Sequence, residues 1–174
     1  MNIINTEKIK ELIYELLKEL GENPDRDGLK ETPQRISDMC LELFDNKYSE
    51  QDLVKIFEEK RTENNIIEIN NISFCSFCEH HLLPFYGTVS IKYLPKNNKI
   101  LGISKFARII NYFSKKLQLQ ERLTNQIAEF IYSKISPQAV EVTIEAEHMC
   151  MAVRGVKSLG AKTKTTVTLG DFKK

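Results

Sequence analysis

This sequence has few cysteines and histidines, no long apolar run and almost no net charge. Its 25 lysines and arginines nearly match its 24 aspartates and glutamates, so no global field favours nucleic acid or an anionic membrane as a partner. No stretch approaches the roughly 20 apolar residues that span a bilayer, and the N-terminus lacks the apolar core of a signal peptide. We therefore expect a cytoplasmic protein with no nucleic-acid or membrane partner.

The scarce cysteines and histidines are concentrated in two short segments. Residues 75–81 and 148–150 contain all three histidines and three of the four cysteines, and only Cys40 lies outside them. In a cytoplasmic chain, clustered cysteines indicate metal binding rather than a disulfide framework. Thiolate and imidazole donors in a tetrahedral arrangement suit zinc. The sequence therefore predicts one Zn²⁺ site that the fold closes from both segments.

Residue spacing indicates which donors can share that ion. Cys78 and His81 are three positions apart, which places both side chains on one side of a turn. His148 and Cys150 are two positions apart, and on an extended strand they point the same way. We assign Cys78, His81 and Cys150 to a catalytic zinc that keeps one position for water. His80 and His148 then lie beside the metal, where neutral imidazoles can move protons near pH 7.

Two other interpretations of these segments remain open on spacing alone. A fourth ligand from Cys75 would complete a saturated structural zinc site that has no reactivity. Alternatively, the cysteines are ordinary buried residues, and the polar atoms of the histidines are satisfied within the protein. The residue types and their separations are compatible with all three interpretations.

Residues 1–62 are predicted to form an N-terminal helical segment. Apolar residues recur at helical spacing over residues 6–20, which predicts an amphipathic helix. Thr32 is predicted to cap a second helix, with Pro33 at its first helical position. A third helical piece is predicted over residues 51–58, where apolar residues again recur at helical spacing.

Residues 63–174 are predicted to form a catalytic domain of α+β class. Four segments favour strands by their β-branched, aromatic or alternating residues, and two segments with helical spacing lie between the second and third strands. The strands are predicted at about residues 66–74, 87–94, 138–147 and 164–169, and the helices begin near residues 104 and 120. Ser104 is predicted to cap the first of these helices. The order β-β-α-α-β-β is typical of an α+β fold.

Four sequence blocks carry a resemblance to a known family. They are residues 78–85 (CEHHLLPF), 102–108 (GISKFAR), 118–124 (QLQERLT) and 148–155 (HMCMAVRG). In their order and separation they resemble the successive motifs of GTP cyclohydrolase I. The resemblance extends from about residue 6 to residue 172, and four separate blocks make it far more specific than one cysteine pair.

That resemblance implies a fold, an assembly and a reaction. The family has a tunnelling fold, in which an antiparallel sheet and two helices of each subunit join neighbours into a toroid. The toroid is commonly a homodecamer with active sites at subunit interfaces. Members hydrolyse GTP at C8 of the purine, release formate and form 7,8-dihydroneopterin triphosphate for folate and pterin biosynthesis. The implied protein is a zinc-dependent homo-oligomeric enzyme with GTP as its substrate.

Matching the motifs position by position implies a role for each site residue. Two histidines are expected to transfer protons, and a group of cations is expected to hold the triphosphate and ribose. The matched positions are Cys78, His81 and Cys150 for zinc; His80, His148 and Ser104 for catalysis; Lys105, Arg108 and Arg154 for the triphosphate and ribose, a region that also includes Ser104; and Gln120 and Glu121 for guanine.

General chemistry agrees with several of these implied roles. The Glu121 carboxylate only accepts hydrogen bonds, so it can receive the N1–H and the exocyclic amine of guanine, which adenine does not present in that form. Lys105 and Arg108 lie at the start of a predicted helix, where backbone N–H groups and the dipole favour anions. Each of these side chains also has an ordinary interpretation as part of a solvated helix surface.

Two other functional classes are compared with the cyclohydrolase. A nitrile reductase of the same fold would use NADPH and a nucleophilic cysteine without zinc, and the complete set of three metal ligands disfavours it. A structural zinc module that binds protein or nucleic acid would require Cys75 as a fourth ligand, and the absence of a basic excess weakens it. The function that the resemblance implies, a zinc-dependent GTP cyclohydrolase I, is therefore the prediction.

Overall fold

The computed structural model describes residues 4–60 and 65–173, and the chain divides into two compact units. The first unit ends at Lys47 and the second begins at Tyr48. Residues 48–60, which precede the predicted boundary at residue 62, therefore group with the second unit in their contacts. The sequence-based division into residues 1–62 and 63–174 stays a prediction of domain organisation.

Two helices form the first unit. They are α1 (Thr6–Glu19) and α2 (Thr32–Phe44). The Asn5 side chain caps α1 by accepting a hydrogen bond from the Lys8 N–H at 2.9 Å. The cap predicted for α2 is wrong by one residue, because the Thr32 N–H already donates to the Leu29 carbonyl and Thr32 is itself helical. Pro33 therefore takes the second helical position, where its missing N–H is equally harmless.

Strands and helices of the second unit follow one another in runs. In chain order they are β1 (Ile56–Glu58), β2 (Ile67–Cys78), β3 (Pro84–Leu94), β4 (Lys99–Leu101), α3 (Ile103–Ser114), β5 (Leu117–Gln118), α4 (Gln120–Ile135), β6 (Ala139–His148), α5 (Met149–Ala152) and β7 (Lys162–Gly170). The main sheet has the order β5-β2-β3-β6-β7, in which β5 runs parallel to β2 and the other neighbours are antiparallel. The long elements confirm the predicted β-β-α-α-β-β order and the α+β class of the tunnelling fold.

The helix predicted over residues 51–58 is wrong. A short 3-10 helix covers Glu50–Leu53, and the chain then becomes extended as β1. Ser49 and Asp52 cap that turn through reciprocal side-chain and backbone hydrogen bonds. β1 pairs with β4, and this tertiary contact overrides the local helix preference. The helical spacing of a few apolar residues could not reveal such a pairing.

The core lies between one face of the sheet and the helices α3 and α4. Val89 on β3 faces Ile144 on β6, and both are fully buried. The helices cover this face with their apolar stripes, which include Phe106, Ile109, Ile110, Leu123, Ile127 and Ile131. Burial of this apolar surface is the main driving force for the fold. None of the helices in the described ranges is long and apolar enough to cross a membrane.

Gly87 allows β3 and β6 to approach closely near one end of the sheet. It pairs with Ala146, and a Cβ at this position would lie 1.9 Å from the Glu145 carbonyl oxygen. A larger residue would therefore push the strands apart. Two positions away in the same register, Phe85 faces His148, so this close approach helps to place a predicted catalytic histidine.

Ser104 is not the cap of α3. The helix begins at Ile103, Gly102 occupies the N-cap position, and no side chain caps the helix. The Lys105 N–H donates to the Gly102 carbonyl at 2.8 Å, so the N-cap lies two residues before the predicted one. The chain leaves β4 directly into the helix, and Ser104 lies exposed within the first turn.

Candidate metal centre and active site

Cys78 ends β2 and begins a turn that brings His81 back beside it. The Cys78 carbonyl accepts hydrogen bonds from the N–H groups of His81 at 3.3 Å and Leu82 at 2.9 Å. Leu82 has a φ of 55°, a left-handed conformation that helps the chain to reverse toward β3. The Cys78 N–H donates to the Leu83 carbonyl at 2.9 Å and closes the loop. The turn predicted from the spacing of Cys78 and His81 is confirmed.

Cys150 lies in a helical turn. β6 ends at His148, α5 follows directly, and the Val153 N–H donates to the Met149 carbonyl at 3.0 Å. The extended conformation predicted for Cys150 is therefore wrong, because the chain becomes helical one residue before it. Cys150 reaches the end of β2 from this turn, while His148 stays opposite Phe85 in the sheet.

The structure brings the three predicted metal ligands together. The Sγ atoms of Cys78 and Cys150 and one ring nitrogen of His81 lie within 4.8 Å of one another. Tetrahedral zinc with bonds of ordinary length separates such donors by about 3.6–3.8 Å, so small side-chain adjustments close the site. Cys78 is buried, Cys150 is half-buried and His81 is exposed. The donor set fits zinc and leaves a fourth position for a ligand from solvent.

The two thiols of this group influence each other. Burial raises the pKa of Cys150, and the neighbouring Cys78 raises it further, while the charge of Arg154 acts in the opposite direction. Two adjacent thiolates are therefore unfavourable on their own. A divalent cation between them reverses this preference, because a coordinating thiol is held in its deprotonated form. This pairing suits a metal site better than it suits two independent nucleophiles.

Cys75 lies outside this group. Among the described residues, the cluster of meeting donors consists of Cys78, His81 and Cys150. Cys75 and Cys78 are three positions apart on β2, and strand alternation directs such side chains to opposite faces. Cys75 is accordingly exposed, whereas Cys78 is buried. The arrangement disfavours the saturated four-ligand site.

The ring of Phe85 and the side-chain amide of Gln120 hold His148 at the end of β6. Its imidazole stacks on the ring of Phe85, with centroids 4.7 Å apart and planes only 3° from parallel. Its Nε2 lies 2.8 Å from Oε1 of Gln120. Burial lowers the pKa of His148, and the negative charge of Glu121 opposes this shift. The ring is therefore mainly neutral at pH 7 and can accept a proton.

Gln120 directs its side chain into the protein. It is 1% exposed, and three acceptors share the two hydrogens of its Nε2: the carbonyls of Ile144 and Thr163 and Oγ1 of Thr165, at 3.0–3.1 Å. The amide thereby joins the start of α4 to β6 and β7. Its neighbour Glu121 is exposed in the first turn of α4. The guanine-binding role implied for these two residues stays a prediction.

Two further predicted residues lie beside the metal ligands. Nη1 of Arg154 is 3.2 Å from Nε2 of His81, and because arginine only donates, the ring nitrogen is the acceptor. The ring of His80 is perpendicular to that of His81, with centroids 6.3 Å apart. The metal turn therefore carries a second imidazole, and Arg154 adds positive charge next to it.

Ser104, Lys105 and Arg108 belong to a second group at the start of α3. Nζ of Lys105 donates to the Asp52 carbonyl at 2.6 Å, and the Arg108 guanidinium lies 5.5 Å from the ring centre of Tyr48. Both cations are therefore held by the segment that precedes β1. Their implied role in binding the triphosphate stays a prediction.

Two contacts at this site were not predicted from the sequence. Arg122 of α4 forms an ion pair with Glu79 in the metal turn, with N–O distances of 2.6 and 3.1 Å. Phe85 supplies the surface on which His148 stacks. All of these residues fall within the recognised motifs, but a motif does not show which side chains meet between distant segments. The register of β3 and β6 supplies that information for Phe85 and His148.

Comparisons with known proteins identify relatives of this chain. Residues 9–174 match the family model described as GTP cyclohydrolase I. GTP cyclohydrolase 1 of Caldanaerobacter subterraneus subsp. tengcongensis is 48% identical over 172 residues, which cover 98% of this chain and 91% of that protein. GTP cyclohydrolase 1 of Streptococcus agalactiae is 46% identical over 171 residues, which cover 97% of this chain and 90% of that protein.

A further comparison is with the solved structure of the archaeosine synthase QueF-Like in its apo form. The match has a TM-score of 0.48 at 18% identity and covers 61% of this chain and 94% of that chain. The family match is far broader, because it spans nearly the whole sequence and contains all four motifs. As those motifs predicted, this chain belongs to the GTP cyclohydrolase I family of enzymes.

Proposed function

We propose that this protein is a zinc-dependent GTP cyclohydrolase I. It hydrolyses GTP at C8 of the purine, releases formate and forms 7,8-dihydroneopterin triphosphate. The observation that carries the proposal is the group of Cys78, His81 and Cys150, whose three donors leave a fourth tetrahedral position for water. When bound there, zinc supplies Lewis-acid activation of water at neutral pH.

Two histidines are proposed to move protons during this reaction. His80 shares the metal turn with His81, and His148 is held against Phe85 at the end of the strand that leads into the turn with Cys150. Attack at C8 places negative charge on a purine nitrogen, and opening of the ring requires that nitrogen to gain a proton. A positioned histidine that delivers this proton is typically worth about 10²–10⁴ in rate.

The substrate is proposed to extend from Glu121 to the cations. Because the charge of Glu121 acts on His148, a guanine bound at this carboxylate lies near the histidine that moves protons. Lys105 donates to a main-chain carbonyl and Arg108 lies over an aromatic ring, while the Asp52 carboxylate interacts with both charges; phosphate oxygens can replace the carbonyl and the ring as partners. Arg154 is proposed to join them, and Ser104 to contact the same part of the nucleotide.

We further propose a homo-oligomer, a decamer in its full form, with active sites at subunit interfaces. Val156 and Leu159 are 76% and 81% exposed in the segment that follows Arg154, so apolar side chains lie on the surface close to a site residue. Such surfaces favour protein contacts. The proposal includes a cytoplasmic location, which suits the four free cysteines.

GTP turnover and metal content measured on the same sample test this function. The zinc-loaded protein should release one formate per GTP consumed and yield a pterin that fluoresces after oxidation. Chelation should abolish both signals, and zinc should restore them. Unchanged GTP in a fully metal-loaded sample would overturn the proposal and favour a structural zinc site.

A further inference from the structure

The buried amide of Gln120 is held in one orientation by its hydrogen-bond partners. Its nitrogen faces the carbonyl oxygens of Ile144 at 3.1 Å and Thr163 at 3.0 Å. Carbonyl oxygens only accept hydrogen bonds, so the NH₂ group must point toward them. The reversed amide would place its oxygen against two carbonyl oxygens in a buried site, which is strongly unfavourable. The amide oxygen therefore faces His148.

Two threonines continue this directional network. The Thr124 hydroxyl donates to the main-chain carbonyl of Gln120 at 2.7 Å, so it can only accept from the Thr165 hydroxyl, which lies 2.6 Å away. Oγ1 of Thr165 in turn accepts from Nε2 of Gln120 at 3.1 Å. These hydrogen bonds run in one direction, from the side-chain amide of Gln120 through Thr165 and Thr124 to the main-chain carbonyl of Gln120. Both threonines therefore support the same orientation of the amide.

This orientation decides which nitrogen of His148 carries hydrogen. The Gln120 oxygen is only an acceptor and lies 2.8 Å from Nε2 of His148, so Nε2 must be the N–H donor. In the neutral ring, Nδ1 is then the unprotonated nitrogen. We propose that Gln120 is a positioning residue that holds His148 as the Nε2–H tautomer and makes Nδ1 the atom that exchanges protons with the substrate.

Phe85 complements the amide by fixing the plane of the imidazole. The parallel stack at 4.7 Å restricts tilting of the ring, while the amide restrains one of its nitrogens. Without the amide, the two neutral tautomers of His148 become close in free energy. Part of the population then has its hydrogen on Nδ1 instead of Nε2. The proton-exchange role rests on the proposed function, whereas the tautomer is a property of the protein itself.

Solid-state ¹⁵N NMR of the zinc-loaded protein with labelled histidine tests the tautomer directly. The chain contains only three histidines, and His148→Asn identifies the His148 signals by their loss. At neutral pH, wild-type His148 should show a protonated Nε2 and an unprotonated Nδ1. The opposite tautomer would overturn the proposal. This measurement needs neither turnover nor a folded Gln120 variant.

Two variants test whether the amide oxygen of Gln120 sets the tautomer of His148. Gln120→Met keeps the length of the side chain but removes the acceptor, and it should give a mixture of His148 tautomers. Thr165→Val removes one partner of the amide nitrogen but leaves the carbonyls of Ile144 and Thr163, so the tautomer should not change. An unchanged tautomer in folded Gln120→Met would overturn the proposal.

Kinetics of Gln120→Met distinguish positioning from guanine recognition. Loss of a supporting hydrogen bond should lower kcat about 10–100-fold while KM for GTP stays within about threefold. A loss confined to KM would instead assign Gln120 to guanine binding and overturn the positioning role. Absence of GTP turnover in the wild type would contradict the proposed function and leave the NMR result as an independent test.

Discussion

Glu79 and Arg122 form a two-point ion pair that joins the metal turn to α4. The guanidinium donates to both carboxylate oxygens, at 2.6 and 3.1 Å. The hydrogen bond from Arg122 lowers the pKa of Glu79, so the carboxylate is charged at neutral pH. Because Glu79 lies between Cys78 and His81, the pair restrains the turn from which two metal ligands project.

Arg122→Gln should weaken metal binding more than it weakens folding. The two side chains are 43% and 31% exposed, so the direct contribution of the pair to stability is small. A less restrained turn should lower zinc affinity roughly tenfold. Competition with a chromophoric chelator measures this affinity, and circular dichroism checks the fold.

Lys162→Gln is the matched control for Arg122→Gln. It breaks a similarly exposed ion pair with Glu145, at 3.0 Å between β7 and β6, and should leave zinc affinity unchanged. A charge-reversed pair, Glu79→Arg with Arg122→Glu, should recover part of the lost affinity. Full zinc affinity in Arg122→Gln would show that the ion pair does not position the metal turn.

Replacement of single cysteines should distinguish the three-ligand site from the four-ligand site. Cys75→Ser should retain one zinc per chain and nearly full turnover, because Cys75 lies on the face of β2 opposite to Cys78. Cys78→Ser should lose most of the zinc, since it removes a thiolate ligand. Zinc content measured by atomic emission provides the comparison. Equal zinc loss in both variants would favour the saturated structural site, in which Cys75 is the fourth ligand.

His148→Asn should separate metal binding from proton transfer. The side chain contacts Phe85 and Gln120, and it is not a member of the donor group, so zinc content should remain near one per chain. Turnover should fall by about 10²–10⁴, the usual value of a positioned proton donor or acceptor. Single-turnover formate release measures this loss. Full activity in the zinc-loaded variant would remove His148 from the mechanism.

Tyr93 gives a prediction for stability at alkaline pH. It is 1% exposed, and burial raises the pKa of its phenol above the value of about 10 expected in the unfolded chain. The neutral phenol favours the folded state fully below pH about 10, and this advantage is lost as pH rises toward the folded pKa. Tyr93→Phe should therefore show a smaller alkaline loss of unfolding free energy in urea titrations.

Tyr86→Phe provides the comparison for Tyr93→Phe. Tyr86 is on the same strand, β3, but is 44% exposed, whereas Tyr93 is buried. This variant should follow the wild-type dependence of unfolding free energy on pH. Parallel curves for Tyr93→Phe and the wild type would show that the buried phenol does not control alkaline stability.

The sequence predicted the long elements because their periodicity extends over many residues. The alternating stretch before His148 became β6, and the helical stripe that begins at Gln120 became α4. The apolar spacing of residues 51–58 covered too few positions to separate a helix from a turn followed by a strand. Its pairing with β4 decided the outcome.

The metal ligands were predictable because their residue types are rare and their local spacing is informative. The supports of the site were not, because each joins positions far apart in the chain. Gln120 contacts His148 and Arg122 contacts Glu79 only after α4 packs against the sheet. A single sequence contains no signal for these pairs beyond their presence in recognised motifs.

Glu121→Gln should reduce discrimination between GTP and inosine triphosphate, which lacks the exocyclic amine of guanine. The carboxylate can accept from both the N1–H and that amine, whereas an amide offers one acceptor and places a donor where the second acceptor stood. The ratio of kcat/KM for the two nucleotides should fall at least about tenfold. Glu129→Gln, an exposed change on the same helix α4, should leave the ratio unchanged. An unchanged ratio in Glu121→Gln would assign guanine recognition to another group.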